Sequence, residues 1–233
     1  IPVPSITEEN KKLVEKIEGF VDQILVLNKQ RQFLIKSFRA LVENIGQGRM
    51  NSPLGQYLKP KNAPDYSINL VETKRLIDDE KMGLPRFYKV KGYGDSLIIS
   101  VGYDDGLVED VIQIAFEDLV IKEFFHFAIA SAVEGKKKAY RSQKKILETL
   151  LEDIKVPRST RNKKRDVENI KALMEILKKE YEKKDFKDSP AKTMSLQVLD
   201  DKIREVDEKI DELVYKLYGF SESEKEEIEK KLL

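Results

Sequence analysis

The chain has 233 residues, of which 40% are hydrophobic, enough for a folded core in one or two domains. Its 43 basic and 42 acidic residues leave a net charge of +1, so the overall charge predicts no nucleic-acid partner and any attraction to phosphates depends on local clusters. The absence of cysteine excludes disulfides and thiolate chemistry and favours the cytoplasm. Charged residues interrupt the most apolar stretch, Val108 to Val133, so we expect no membrane-spanning segment.

The first predicted element is a long helix within residues 1–45. The chain opens with Ile1 to Pro4, without an initiator methionine, so we treat it as part of a longer protein. Ser5 and Glu8 have the spacing of a capping box, which predicts the helix start. Apolar residues then alternate three and four positions apart, with Arg31 as a polar break, which is typical of a heptad seam. The predicted seam residues are Leu13, Ile17, Phe20, Ile24, Leu27, Leu34, Phe38 and Leu41.

The middle of the chain is predicted to contain a connector followed by a small α+β region. Glycine and proline are frequent in residues 46–84, which favours a connector with few regular elements. Within residues 85–133, two aromatic and β-branched runs flank Gly94, which is typical of a β-hairpin. The pattern continues with a third strand over Val108 to Phe116 and a helix that ends at Val133.

Residues 136–184 are predicted to form two helices joined by a basic linker. The first helix closes at Pro157, because proline does not continue a helix. The linker covers residues 157–165, and the second helix begins at Asp166.

The last predicted region, residues 190–233, contains the clearest heptad helix and a short tail helix. Gly219 is placed to stop the heptad helix, and Ser221 with Glu224 repeats the capping-box spacing. The seam residues are Leu196, Leu199, Ile203, Val206, Ile210, Leu213 and Leu217. These elements together predict a mainly α-helical α+β chain with a small sheet, in which the two heptad helices pair antiparallel.

Two clusters of basic residues are candidates for contacts with DNA phosphates. A solvated helix face explains them about equally well, although the linker cluster is favoured because five basic residues fall within eight positions. The first cluster is Lys136, Lys137, Lys138, Arg141, Lys144 and Lys145, and the second is Arg158, Arg161, Lys163, Lys164 and Arg165. Three hairpin tyrosines, Tyr88, Tyr93 and Tyr103, either stack on bases or cover the sheet, and the second interpretation is favoured.

The sequence predicts no catalytic or metal-binding centre. His126 is the sole histidine, which excludes a histidine pair on a metal, and it is expected to be a packed or partly exposed helix residue. Asp65, Glu72 and Lys74 match the pattern of Mg²⁺-dependent nucleases loosely, but a solvated loop explains their spacing better. The carboxylate pair Asp200–Asp201 is expected to be solvated.

Both ends of the chain resemble parts of a known enzyme family. Ile1 to Ile6 leading into Ile24 to Lys29, and the closing segment Val206 to Ser221, resemble the helical spacer and C-terminal end of Type IIG restriction–modification enzymes and related adenine-specific DNA methyltransferases. The resemblance covers residues 1–45 and 190–230. It implies a non-catalytic specificity and spacer region that binds double-stranded DNA and positions target recognition relative to a methyltransferase or nuclease portion. S-adenosylmethionine and Mg²⁺ are expected only in that missing catalytic portion, and no cofactor or metal in this chain.

The principal alternative is a coiled-coil interaction module that never meets DNA. A heptad seam left open by one chain pairs readily with a second copy or with another protein. The sequence therefore leaves a homodimer through the heptad helices open.

Overall fold

The computed structural model describes most of the chain. The described residues are 4–46, 51–53, 59–60, 68–73, 85–104, 106–133, 155–157, 163–186 and 188–232. Their helices are α1 (Lys11–Gly46), α2 (Leu119–Val133), α3 (Lys163–Lys183), α4 (Leu196–Tyr218) and α5 (Glu222–Leu232). Their strands are β1 (Asn51–Pro53), β2 (Lys59–Pro60), β3 (Ile68–Thr73), β4 (Pro85–Tyr93), β5 (Ser96–Tyr103), β6 (Val108–Phe116) and β7 (Lys155–Pro157). The α+β class is confirmed.

The chain divides into two compact units. The first unit combines residues 1–32 with 186–233, and the second consists of residues 33–185. Helix α1 therefore contributes residues to both units. Among the described residues, no helix has the length and apolar content needed to cross a membrane.

The second unit is built on a mixed sheet with the strand order β2-β3-β6-β5-β4. The hairpin predicted on either side of Gly94 is confirmed as β4 and β5, and the predicted third strand is confirmed as β6. Strand β3 pairs antiparallel with β6, and β2 adds to β3 in parallel. The stretch predicted as a connector, 46–84, thus contains β1, β2 and β3. Their short runs between proline and glycine residues give little alternation from which to predict strands.

Helix α2 packs against one face of this sheet through aromatic side chains. The rings of Phe116 on β6 and Phe125 on α2 have centroids 5.6 Å apart. Phe38, from the part of α1 that belongs to this unit, stacks on Phe127 at 5.4 Å and meets Phe124 edge-on at 5.4 Å. Aromatic pairs of this geometry add about 0.5–1.5 kcal/mol each beyond their area burial. All five rings are at most 3% exposed, so the cluster belongs to the core of this unit.

In the first unit, the end of α4 and the start of α5 lie where the sequence predicts. The hydroxyl of Ser195 accepts a hydrogen bond from the Val198 amide at 3.4 Å and so caps the start of α4. Gly219 has φ 71°, a left-handed conformation that ends α4. The Ser221 amide donates to the Glu224 carboxylate at 2.8 Å, and the Glu224 amide donates to the Ser221 hydroxyl at 3.4 Å. The predicted capping box is therefore confirmed.

The start of α1 differs from its prediction. The predicted box paired Ser5 with Glu8, whereas the reciprocal hydrogen bonds join Thr7 and Asn10. The Thr7 amide donates to the Asn10 side chain at 2.8 Å, and the Asn10 amide donates to the Thr7 hydroxyl at 3.4 Å. The asparagine side chain accepts this hydrogen bond as a glutamate side chain does. The chain therefore contains two overlapping pairs with capping-box spacing, Ser5–Glu8 and Thr7–Asn10, and the second precedes the helix, which begins at Lys11.

Candidate nucleic-acid interface

The predicted basic clusters fall partly within the described residues. The whole first cluster, Lys136 to Lys145, lies outside them, as does the helix predicted over 136–154, and so do Arg158 and Arg161. Lys163, Lys164 and Arg165 are the first three residues of α3. The helix thus begins three residues before the predicted Asp166, and the end of the predicted linker is helical.

The basic start of α3 has the backbone chemistry of an anion site. The first four amide groups of a helix have no acceptor within the helix, and the helix dipole places partial positive charge at this end. In the sequence, the first three positions of this helix are the basic residues Lys163, Lys164 and Arg165. Basic residues at an N-terminus repel the dipole, so a bound phosphate would relieve that repulsion.

Helix α3 is anchored in the second unit, which fixes where this turn lies. Its buried residues are Ile170, Leu173, Met174 and Leu177. The Lys171 ammonium lies 2.5 Å from the Asp118 carboxylate just before α2. That hydrogen bond, with further ones from the Val120 and Ile121 amides, lowers the pKa of Asp118 despite its partial burial. The two helices are therefore tied together at their contact by packing and by charge.

The three hairpin tyrosines separate into two classes. Tyr88 and Tyr103 are 6% and 2% exposed, so they belong to the core and are not available for stacking on a base. Tyr93, at the end of β4, is 70% exposed. The favoured prediction, that the tyrosines cover the sheet, thus holds for two of them, and Tyr93 is the exception.

The residues considered for catalysis do not form a described centre. His126 is fully buried within α2, which agrees with the first of the two predicted cases, a packed helix residue. Asp65 and Lys74 lie outside the described residues, and Glu72 belongs to β3. Within the described part of the chain, no group of three or more histidine, aspartate or glutamate side chains is placed to hold a metal ion.

The seam residues predicted for α1 and α4 lie in two burial classes. The buried seam residues are Leu27, Leu34, Phe38, Leu196, Leu199 and Val206. The half-buried seam residues are Leu13, Ile17, Phe20, Ile24, Leu41, Ile203, Ile210, Leu213 and Leu217.

Two side-chain contacts join α1 to α4 within the first unit. The guanidinium of Arg31, the polar break in the seam, lies 2.5 Å from the Asp200 carboxylate. This pair corrects the expectation that Asp200 is solvated, since its side chain is 30% exposed and ion-paired. The Lys209 ammonium lies 5.9 Å from the centre of the Phe20 ring, within the range of a cation–π contact.

A buried glutamine ties the segment before α4 to α1. Gln30 has no exposed surface, and its amide donates to the carbonyls of Ala191 and Thr193, each at 2.9 Å. The Ser189 hydroxyl donates to the Gln30 carbonyl oxygen and is itself 3.0 Å from the Ala191 carbonyl. Sequence reasoning missed this network, because a glutamine on a charged helix resembles any solvated polar residue.

Comparison with protein-family models, curated proteins and solved structures finds no match.

Proposed function

We propose that this chain is the non-catalytic DNA-specificity and spacer region of a restriction–modification enzyme or adenine-specific DNA methyltransferase. The observation that carries the proposal is the closing arrangement of α4, a turn at Gly219 and the charged helix α5. It agrees with the segment order that the resemblance implies, from a heptad helix through a turn to a last helix. The methyltransferase or nuclease portion, with its S-adenosylmethionine and Mg²⁺, then lies outside residues 1–233, and the absence of cysteine favours the cytoplasm.

The spacer role requires that α1 and α4 pair along their seams. The two contacts between them support an antiparallel pair, because Phe20 and Arg31 ascend along α1 while their partners Lys209 and Asp200 descend along α4. The spacings are similar, at about 16 Å on α1 and 14 Å on α4 for a rise of about 1.5 Å per residue. The Arg31–Asp200 pair also fixes the register, since sliding either helix would leave a partly buried charge without its partner.

Crosslinking tests the pairing, because the chain has no cysteine of its own. We expect Arg31→Cys combined with Asp200→Cys to form a crosslink within one chain with a short bismaleimide. Arg31→Cys combined with Lys216→Cys, about 24 Å further along α4, serves as the control and should not react. Crosslinks that form only between chains would contradict the intramolecular pair.

Contact with DNA is assigned to the basic start of α3. In this proposal, the first turn of α3 binds backbone phosphates through its amide groups together with Lys163, Lys164 and Arg165. The three residues changed together to alanine should weaken binding of a DNA duplex. The plot of log affinity against log salt should flatten by about 0.9 unit for each phosphate that the variant no longer binds.

The matched control removes the same number of charges from the exposed part of the same helix. It changes Lys178, Lys179 and Lys183 to alanine. An unchanged salt slope in the first variant, or an equal loss in both, would refute the assignment to the helix start.

The gene offers a separate test of the whole proposal. Sequencing upstream of the codon for Ile1 should find a methyltransferase domain with an Asn-Pro-Pro-Tyr loop and a cofactor-binding turn. A reading frame that starts near Ile1 would favour the second candidate function.

That second candidate is a coiled-coil dimerisation module without DNA binding. Its support is the exposed apolar surface of the first unit, where Val21 and Leu25, one turn apart on α1, are 38% and 60% exposed and Val198 on α4 is 49% exposed. Light scattering distinguishes the two functions. A dimer without DNA affinity at low salt favours the module, whereas a monomer that binds duplex DNA favours the proposal.

A further inference from the structure

The sheet of the second unit has one covered face and one open face at β4. Side chains alternate between the two faces of a strand. Tyr88 and Val90 are buried on the face that α2 covers. The side chains on the open face of β4 are all exposed, and they are Phe87, Lys89, Lys91 and Tyr93.

The neighbouring strand β5 does not cover this row of β4 side chains. The residues of β5 that face it across the ladder are mostly small, and they are Gly102, Ser100, Ile98 and Ser96. Small neighbours leave the long side chains of β4 standing above the sheet. An aromatic residue closes each end of the row, and two lysines lie between them.

Phe87 and Gly102 together set the position of Lys89. A Cβ atom on Gly102 would overlap Cζ of Phe87, so the glycine allows the ring to lie across the β5 backbone. The Lys89 ammonium lies 5.1 Å from the centre of that ring. This cation–π contact holds the charge over the open face.

Lys91 is positioned by Asp110 of β6. Its ammonium lies 3.0 Å from one carboxylate oxygen, and the Ser100 hydroxyl donates to the other at 2.6 Å. The lysine side chain remains 52% exposed despite this ion pair. Among the described side chains on the open face of β4, β5 and β6, Lys89 and Lys91 are accompanied by one carboxylate, that of Asp110, which leaves one positive charge in excess.

We infer that this open face binds the phosphate backbone of double-stranded DNA, an inference that rests on the proposed function for its choice of partner. Lys89 and Lys91 are about 6.8 Å apart along β4, which corresponds to two rises of about 3.4 Å along one DNA strand. In this proposal, the two ammonium groups contact different phosphates of the same strand. Tyr93, 70% exposed at the end of the row, places its hydroxyl to donate to a further phosphate oxygen.

Charge-changing variants of this face test the inference in both directions. Lys89→Gln and Lys91→Gln should each weaken binding of a mixed-sequence duplex by the full chain, and each should lower the salt slope by about 0.9 unit. Asp110→Asn should instead tighten binding, because it removes the negative charge and retains an acceptor for the Ser100 hydroxyl. A variant that binds more tightly while its circular dichroism spectrum and melting temperature are unchanged separates a direct effect on the face from a loss of fold.

The matched control is Lys178→Gln on the exposed surface of α3 in the same unit. Fluorescence anisotropy should give it the affinity and slope of the unchanged chain. The inference is overturned if the Lys89 and Lys91 variants behave like this control, or if Asp110→Asn does not tighten binding. It is also overturned if the face variants affect only single-stranded DNA of the same length.

The outcomes distinguish this inference from the proposed function. If the chain binds duplex and the triple change at Lys163, Lys164 and Arg165 weakens binding while the β4 variants do not, the proposed function stands and the inference fails. If the unchanged chain binds no duplex at low salt, both fail.

Discussion

Replacing Gln30 with leucine tests whether the buried glutamine holds the segment before α4 in place. The change keeps a side chain of similar size and removes three hydrogen bonds, those to the Ala191 and Thr193 carbonyls and that from the Ser189 hydroxyl. The Thr193 carbonyl then loses its hydrogen bond from the glutamine amide, while Ala191 and Ser189 keep their contact with each other. At about 1 kcal/mol for each hydrogen bond, the free energy of unfolding should fall by about 3 kcal/mol.

Urea denaturation followed by circular dichroism measures this loss, and the chain provides its own control. Gln32 lies two residues further along α1 and is exposed, so Gln32→Leu should change the free energy of unfolding by less than about 0.5 kcal/mol. Ser189→Ala should be less damaging than Gln30→Leu, and the double variant should cost less than the sum of the two, because both remove the same hydrogen bond. Equal denaturation midpoints for Gln30→Leu and Gln32→Leu would refute the reasoning.

Three further predictions concern a close contact, a turn and an ion pair. Gly102→Ala should destabilise the chain by about 1–3 kcal/mol in urea, because the new methyl group displaces the Phe87 ring, and a smaller residue in place of Phe87 should restore part of the loss. Gly219→Ala should lower stability by about 1–2 kcal/mol in thermal melts, because φ is 71° at this position, and an unchanged melting temperature would contradict it. NMR titration should find that hydrogen bonds from Lys202 and Lys209 lower the pKa of Glu205 from 4.5 to about 2, so that its contribution to stability is present above pH 4.5 and is lost as the pH falls towards 2. Lys209→Gln should raise that pKa, and an unshifted titration would refute the pairing.

The parts of the fold that the sequence predicted are those determined by neighbouring residues. The hairpin follows from aromatic and β-branched runs around Gly94. The end of α4 follows from Gly219, and the start of α5 follows from the Ser221–Glu224 box. Each depends on a few adjacent residues whose backbone preferences agree with the final structure.

The parts that the sequence did not predict depend on residues far apart in the chain. Gln30 meets a carbonyl 161 residues away, and Arg31 meets a carboxylate 169 residues away. No spacing rule relates such positions, so the functional meaning of a buried polar residue becomes visible only after packing. The strand was predicted over Phe87 to Val90, with Tyr93 in the turn. Lys89 and Lys91 became a candidate site only when the sheet showed which face is open.

The two outer strands of the sheet also affect how readily the protein aggregates at high concentration. Strands β2 and β4 form the edges of the sheet of described strands, and unpaired edges invite strand-by-strand growth of aggregates. β2 ends at Pro60, which has no amide hydrogen to offer an incoming strand, and β4 carries Lys89 and Lys91. Two copies that approach through their β4 edges would bring the positive charges of Lys89 and Lys91 close to those of the other copy. Neutralising both lysines at once should therefore make the protein prone to edge-to-edge association.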